Sequence, residues 1–506
     1  MCWVKSSGYF FIKLSSVIFY PRLLVGVFYT TRILQDRRGF LIKGIILQFK
    51  FILLIVFLFS FSLYPQVDSV KLNKYNFIAN QITKKTLTEK KGYELLRELC
   101  DIGPRLSGSE KSLRAIYWAE DKFKKIGVDK VWLQPVIVPH WERGSIETAV
   151  ITKNKSSDHK SLNILSLGGS VSTPENGITA NVIEVKNFSE LEQRKNEVNG
   201  KIVFFSRPLD ESLLNTFSGY GSAVDQRVYG AVEAAKYGAV AVLIRSITTK
   251  HDNVPHTGVM VYVDSLPRIP AAAVGYLDAD LLHNALLTDP NLMMNLKMNC
   301  KTLPEAQSYN VIAEITGTEY PNKIIVIGGH FDSWDQGCGA HDDGAGCVQS
   351  MEVLNLFNEL GIRPKRTIRC VLFINEENGS RGGKGYGKFA ETDNENHIAA
   401  IESDRGGFTP LGFDVDSDSL TLNKIKSWIS VLERSGIHWI KKGGSGVDVQ
   451  YIKNSKAKIG YVPDYQRYMD VHHSANDTFE SVHPRELELG AASIAIMAYL
   501  ISEEGL

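Results

Sequence analysis

The sequence predicts an α/β protein built on an open, largely parallel β-sheet that helices cover on both faces. From residue 312 onward, short runs of β-branched residues alternate with helical segments, which is the pattern of strands joined by crossover helices. One such run, at 324–327, is followed at once by glycines and polar side chains. The chain has 506 residues, 44% of them hydrophobic, which is enough for two or three domains.

The segment before residue 145 predicts helices and one strand. A polar helix is expected from about 68 to 100. Ser109 is a suitable N-cap for a second helix, from Glu110 to about Ile126, because its hydroxyl can accept a main-chain N–H of the first turn. The glycine that follows is a suitable stop for this helix. Apolar residues over 131–138 then predict a strand.

Between about 145 and 303 short strands dominate, and only two helices are predicted, from Gln226 and from Asp278. This pattern predicts a small, self-contained α/β insert. No catalytic cluster is visible in it. His251 and His256 fall in a loop and are expected to be surface histidines.

The region after 303 predicts the main sheet. Its expected strands are 311–315, 324–329, 367–374 and 399–404. Its expected helices are 346–360, 421–435 and 489–502, with another opening after the polar loop 376–383.

The N-terminus contains a continuous apolar run at 51–63. The run is short for a membrane span and is typical of the hydrophobic part of an export signal. About fifty residues precede it, which is long for such a signal. We therefore expect 1–66 to be an export segment with a long extension, with a membrane anchor as the alternative. Export would make the protein secreted or periplasmic, and membrane contact is expected only through this segment.

Composition excludes several classes of protein. The formal net charge is +1, so no electrostatic argument favours nucleic acid. The six cysteines show no C-x-x-C spacing and are too few for a disulfide scaffold. Cys338 and Cys347 flank the polar loop after residue 327, and free buried thiols are expected there rather than a functional pair.

Four predicted strands of the main sheet end in acids or histidines. These residues are His330 and Asp332 with Asp342 and Asp343, Glu376 and Glu377, Asp404, and His472 and His473. Because buried strands that release so many charged groups at one edge are costly, a cation is expected to gather them. Two histidines and three carboxylates suit a pair of Zn²⁺ ions that share a carboxylate. Calcium or magnesium would prefer oxygen ligands only.

Several motifs resemble, in order and spacing, the co-catalytic di-zinc exopeptidases, the family of the bacterial zinc aminopeptidases. The matching segments are GHFDSWDQGCGAHDDGAG, FINEENGS, IESDRGG and HHSANDT. Further segments are similar to a carboxypeptidase branch of that family, namely GPRLSGS, PHWERG, AVEAAKYGAVAVLIRS, PHTGV and AEITGTEYP. The resemblance extends from about residue 80 to the end and implies a zinc-exopeptidase fold with a central mixed, mostly parallel sheet.

The resemblance also implies the metal ligands. His330 and Asp404 would bind one zinc, and Glu377 and His473 would bind the second. Asp342 would bridge both metals, with a cis peptide bond to the next residue. His473 is preferred to His472 because the segment that follows it matches the family motif.

The same resemblance gives roles to three other residues. Asp332 would fix the tautomer of His330 through its carboxylate. Glu376 would be the general base, taking a proton from the metal-bridging water and delivering it to the leaving amine. His472 would donate to the developing oxyanion, and a packing role for it is an equal alternative.

Other polar and aromatic residues near these motifs are expected to be bystanders. In this interpretation Asp335 and His341 are ordinary polar residues of a loop, and Trp334 and Trp141 belong to the core. The Gly-rich segment 443–448 is either a substrate-side loop, as in the resembling branch, or a plain turn.

The predicted organisation has four parts: 1–66, the export segment; 67–144 and 304–506, the catalytic domain; and 145–303, an insert that resembles a protease-associated domain. The predicted function is hydrolysis of dipeptides or short peptides, with two zinc ions per chain and a homodimeric assembly implied by the resemblance. Three alternatives stay open at this point. They are an aminopeptidase acting on longer peptides, a non-catalytic receptor-like relative and a single-zinc cyclase.

Overall fold

The computed structural model describes residues 69–153, 159–393 and 395–506. Both β-sheets lie within the unit Asn73–Leu506. The predicted export segment, including the apolar run 51–63, falls outside the described residues. Within the described part, no helix combines the length and the hydropathy that a membrane crossing requires.

The described strands, in chain order, are β1 (Lys130–Glu142), β2 (Glu147–Lys153), β3 (Lys160–Leu162), β4 (Ile164–Ser166), β5 (Ile178–Val185), β6 (Ile202–Phe205), β7 (Ala241–Arg245), β8 (Ala271–Val274), β9 (Met293–Met298), β10 (Lys301–Ile315), β11 (Tyr320–His330), β12 (Arg366–Phe373), β13 (Asn396–Glu402), β14 (Pro410–Ser417), β15 (Trp439–Lys442) and β16 (Ala457–Pro463).

The described α-helices are α1 (Ser69–Glu89), α2 (Lys91–Ile102), α3 (Glu110–Ile126), α4 (Phe188–Gln193), α5 (Thr216–Gly221), α6 (Val224–Ala235), α7 (Tyr276–Thr288), α8 (Ala345–Glu359), α9 (Arg381–Thr392), α10 (Ser419–Lys426), α11 (Ile429–Leu432) and α12 (Pro484–Glu504).

The main sheet has eight strands in the order β1-β10-β12-β11-β13-β16-β14-β15. Its four central strands, β12, β11, β13 and β16, are parallel, and antiparallel pairs flank them. The predicted mixed, mostly parallel sheet is therefore confirmed. Because parallel neighbours end at the same edge, the loops after these four strands meet there. The strands are fully buried where they carry β-branched residues, as at Ile325 to Ile327 in β11.

A second eight-stranded sheet has the order β3-β2-β9-β5-β6-β7-β8-β4, and its strands run from Glu147 to Met298. Its two faces pack into separate apolar clusters, one of which includes Trp141 and Trp334. All of its strands come from the predicted insert. The boundaries at 144 and 303, and the likeness to a protease-associated domain, stay predictions.

The helix ends follow local capping chemistry. The Ser109 hydroxyl accepts a hydrogen bond from Ser112 N at 3.1 Å, and Gly127 ends α3 in the left-handed conformation, both as expected. The predicted helix 68–100 is instead two helices. They are separated by Lys90, which adopts φ 55°, a conformation that interrupts the regular helix.

The main sheet differs from the prediction in two places. The predicted helix 421–435 is broken into α10 and α11, because Ser427 and Trp428 form a turn between them. No residue ranges were predicted for strands β14 to β16, although a strand was expected before His472. Pairing with neighbouring strands of the sheet stabilises these segments as strands.

Candidate metal centre

The loops after the parallel strands deliver five of the predicted residues to one edge of the main sheet. His330 is the last residue of β11, Glu376 and Glu377 follow β12, Asp404 follows β13, and His473 lies between β16 and α12. The parallel arrangement of these neighbouring strands explains why residues far apart in sequence converge there.

The first group of potential ligands is His330, Asp342 and Asp404. Nε2 of His330 lies 3.1 Å from Oδ1 of Asp342 and 3.3 Å from Oδ1 of Asp404. Ligand atoms about 2.0–2.1 Å from a tetrahedral zinc ion are separated from each other by roughly 3.3 Å. Both distances from His330 therefore match the ligand–ligand spacing of a zinc coordination shell.

The second group is formed by Asp342, Glu377 and His473. Nε2 of His473 lies 2.9 Å from Oε2 of Glu377 and 3.4 Å from Oδ2 of Asp342. Asp342 thus turns one carboxylate oxygen toward each group. A carboxylate placed in this way can bridge two cations.

Buried oxygen atoms without hydrogen-bond donors also indicate a cation. Oδ2 of Asp342 and Oε1 of Glu377 are buried and accept no hydrogen bond. Burial raises the pKa of Glu377 well above its usual value, and the Asp342 carboxylate adds to this shift. Because a buried carboxylate without a donor is costly, a metal ion fits the oxygens that the protein leaves unsatisfied.

The second ring nitrogen of His330, Nδ1, contacts the main chain just after its own strand. Nδ1 of His330 donates to the main-chain carbonyl of Asp332 at 3.0 Å. The Asp332 carboxylate instead accepts the main-chain N–H of Glu376 at 2.9 Å. Asp332 therefore fixes the tautomer of His330 through its main-chain carbonyl. The expectation that its carboxylate does so is wrong.

The second ring nitrogen of His473, Nδ1, contacts the segment of the chain that also forms the second sheet. Nδ1 of His473 and Nη1 of Arg227 both lie 3.3 Å from the carbonyl of Thr257. The Thr257 N–H in turn donates to the carbonyl of His473 at 2.9 Å. The neighbouring His256 is buried, with Nδ1 2.6 Å from the His472 carbonyl, so its predicted surface position is wrong.

Main-chain contacts fix the bridging residue. The Asp477 carboxylate accepts hydrogen bonds from the main-chain N–H groups of His341 at 2.7 Å and Asp342 at 3.0 Å. Asp343 accepts from the main-chain N–H of His330 at 3.1 Å. The peptide bond between Asp342 and Asp343 is cis, as the family resemblance implies.

Glu376 lies beside both groups and is partly exposed. Burial raises the pKa of Glu376 well above its usual value; His330 opposes this shift, while the carboxylates of Asp404 and Glu377 add to it. The preceding Asn375 has φ 69°, a left-handed conformation that turns the chain sharply after β12. This turn directs Glu376 and Glu377 away from the strand direction, at the edge where the other predicted site residues lie.

His472 lies close enough to Asp342 and His473 to share a cation with them, and aromatic rings surround it. Its ring is stacked on that of His473, with centroids 3.5 Å apart, and Tyr220 meets it edge-on at 5.0 Å. Its Nε2 lies 3.9 Å from Oδ2 of Asp342, farther than Nε2 of His473. This geometry favours His473 as the ligand.

The expected bystanders have other partners. Asp335 pairs with Arg143 at 2.5 Å. His341 is buried, and its ring stacks on that of Phe408 with centroids 4.2 Å apart. Its ring nitrogens form hydrogen bonds only with main-chain groups. Trp334 is core, but it also lines the small cavity beside Asp342 and His473.

The Gly-rich segment 443–448 ends in a turn around a buried acid. The main-chain N–H groups of Val447, Asp448 and Val449 donate to the Glu402 carboxylate at distances of 2.8–3.3 Å. Even so, burial raises the pKa of Glu402 to about 7. These contacts give Val447 and Asp448 a structural role, and the choice between a substrate-side loop and a plain turn for the segment stays open.

The sequence did not predict the residues that contact the candidate ligands and position them. Asp477, Thr257 and Arg227 were not assigned, although HHSANDT contains the first and PHTGV the second. The motifs were visible, but the pairing of Thr257 with His473 joins positions 216 residues apart, which no spacing rule reveals.

The chain is similar to known proteins in both sequence and structure. Peptidase family M28 matches residues 310–497. Bovine (Bos taurus) carboxypeptidase Q is 37% identical over 434 residues, covering 85% of this chain and 89% of the relative. Human (Homo sapiens) carboxypeptidase Q is 38% identical over 417 residues, covering 82% of this chain and 86% of the relative.

Solved structures agree with the sequence comparison. A peptidase M28 precursor from Shewanella amazonensis SB2B superposes with a TM-score of 0.82 at 34% identity, covering 86% of this chain and 98% of that one. A zinc aminopeptidase from Bacillus subtilis superposes with a TM-score of 0.59 at 18% identity, covering 82% and 95%, which is a likeness of fold alone.

Proposed function

The chain belongs to peptidase family M28, as a homologue of carboxypeptidase Q, and on that premise we propose that it is a zinc-dependent exopeptidase acting on dipeptides and short peptides. The observation that carries this proposal is Asp342, whose two carboxylate oxygens face two separate histidine–carboxylate groups. We assign one zinc ion to each group, two per chain.

The catalytic roles follow from the positions of the side chains. Zinc held by these residues would supply a Lewis acid and lower the pKa of a bound water. Glu376 is the general base, taking the proton of the attacking water and returning it to the leaving amine. Asp332 orients Glu376 by accepting its main-chain N–H. The oxyanion-donor role of His472 stays a prediction.

The cavity beside the metal centre is small and is lined by Trp334, Gln336, Glu377 and His473 among others. Its restricted size supports short substrates over longer ones.

A panel of blocked peptides tests the proposal. The purified chain is expected to cleave free dipeptides and to lose this activity on removal of zinc with a chelator, with recovery on adding zinc back. Blocking either terminus of the dipeptide should abolish cleavage. Efficient cleavage of C-amidated longer peptides would instead establish the aminopeptidase alternative, and activity that survives full zinc removal would overturn the proposal. Homodimer formation and export stay predictions from the sequence.

A further inference from the structure

Two cysteines that are 238 residues apart in sequence meet next to the metal-centre loop. The sulfur atoms of Cys100, in the last turn of α2, and Cys338 are 2.6 Å apart. Both residues are partly exposed, whereas Cys300, Cys347 and Cys370 are buried. Among the described cysteines, only these two have their sulfurs in contact, so the pair differs from the isolated thiols around it.

Each partner is held in place by contacts that do not involve the sulfurs. The Cys338 N–H donates to the Asp477 carbonyl at 2.8 Å, and the Cys338 carbonyl accepts from the Arg105 guanidinium. The carbonyl of Cys100 accepts the N–H of Gly103 at 2.9 Å. The main chain therefore positions both side chains, and closing the sulfur–sulfur distance to the 2.05 Å of a disulfide needs a shift of only about 0.5 Å.

The neighbouring cysteine in sequence is not an alternative partner. Cys347 lies in α8, and its thiol donates to the carbonyl of His330 at 3.0 Å. It is fully buried, whereas Cys338 is partly exposed. Cys338 and Cys347 are therefore close in sequence without being partners in the structure.

We propose that Cys100 and Cys338 form a disulfide that ties α2 to the loop Phe331–Gly339. The reaction is thiol–disulfide exchange with a low-molecular-weight disulfide such as oxidised glutathione. The Cys338 thiolate attacks the small disulfide and releases one small thiolate, and the Cys100 thiolate then displaces the second. Two protein thiols are oxidised, one small disulfide is reduced to two thiols, and one intramolecular S–S bond forms. Contact with Cys100 lowers the pKa of the Cys338 thiol, which favours Cys338 as the attacking group.

The cross-link would act at the end of the loop that Arg105 already holds. Nε of Arg105 donates to the Phe331 carbonyl and Nη2 to the Gly339 carbonyl, both at 3.0 Å. The loop between these carbonyls contains Asp332. A disulfide at Cys338 therefore restrains a segment that orients the metal centre, independently of which substrate the protein cleaves.

Peptide mapping and thermal unfolding of the full chain test the proposal. After exposure to oxidised glutathione, non-reducing digestion is expected to yield one cross-linked peptide pair containing Cys100 and Cys338, which dithiothreitol abolishes. Because the cross-link closes a very long loop, reduction should lower the midpoint of thermal unfolding by roughly 5 °C. Cys338→Ser should have the lower midpoint with or without dithiothreitol.

Cys300→Ser is the matched control, since Cys300 is buried and has no sulfur neighbour among the described residues. It should keep the full difference between oxidised and reduced midpoints. If Cys100 and Cys338 of the wild-type chain both remain open to alkylation after treatment with oxidised glutathione, or if either pairs with another cysteine, the proposal is overturned. The mapping uses the wild-type chain, so this result does not depend on whether a variant folds.

Discussion

The two sides of the metal centre differ in what supports them. His330 is oriented by the carbonyl of Asp332, two residues away on the same strand end. His473 is oriented by the carbonyl of Thr257, which lies 216 residues earlier in the chain. The first side can form with the main sheet alone, whereas the second also requires the part of the chain that builds the second sheet. Zinc affinity on the His473 side should therefore depend on how well that part is packed.

The largest effect is expected from the residue that both sides share. Asp342→Ala removes one oxygen from each ligand group, so both zinc ions should be weakened and the rate of peptide cleavage should fall by at least about 10³-fold. Activity and elemental analysis after dialysis measure the two effects. Asp335→Ala is the control, because Asp335 is in the same loop but pairs with Arg143 instead. Full zinc retention in Asp342→Ala would contradict the bridge.

A smaller effect is expected from the proton-transfer group. Glu376→Gln should lower the turnover number by about 10²–10⁴-fold, as for other general acid–base residues, with both zinc ions retained. Steady-state kinetics and metal analysis of one preparation provide the measurement. Near-wild-type turnover would remove Glu376 from the mechanism, and loss of zinc would mean that it is a ligand.

The asymmetry between the two sides can be tested with Arg227→Met. Arg227 contacts Thr257 and His473 but neither His330 nor Asp404, so one zinc should bind about 10–100-fold more weakly while the other is unchanged. Competition with a chromophoric chelator resolves the two affinities. Arg245→Met is the matched control, since Arg245 is also buried but pairs with Asp280. Equal weakening of both zinc sites would contradict the comparison.

The smallest effect concerns a buried acid outside the centre. Burial raises the pKa of Glu488 to about 7, above its usual 4.5. The folded state thus favours the protonated form; its contribution to stability is present below pH 4.5 and is lost as the pH rises through about 7. Glu488→Gln should therefore raise the free energy of unfolding by about 1–3 kcal/mol at pH 8 and change it little at pH 4.5. Thermal unfolding at the two pH values checks this, and an equal shift at both would contradict it.

Some features of the fold and the site were predictable because their causes are local. Ser109 caps α3 through a residue three positions away, and Gly127 ends the helix by its own backbone freedom. The β-branched run 324–327 predicts a buried strand, and the acids and histidines at its end and at those of its neighbours predict a cation site.

Other features depend on contacts that the sequence does not display. Lys90 interrupts a helix although lysine is a good helix former, so the intrinsic propensity of the residue does not predict this break. The carbonyl of Thr257 behind His473 and the sulfur of Cys100 next to Cys338 are both more than 200 residues from their partners. These pairs appear only when the two sheets and α2 are in place.

Zinc stoichiometry tests the central claim most directly. The metal-free wild-type chain would be titrated with zinc in the presence of a competing chromophoric chelator. We predict two equivalents per chain, one of which binds about 10–100-fold more weakly in Arg227→Met while the other is unchanged. A single equivalent, unchanged in that variant, would contradict a centre in which Asp342 joins two zinc ions with unequal support.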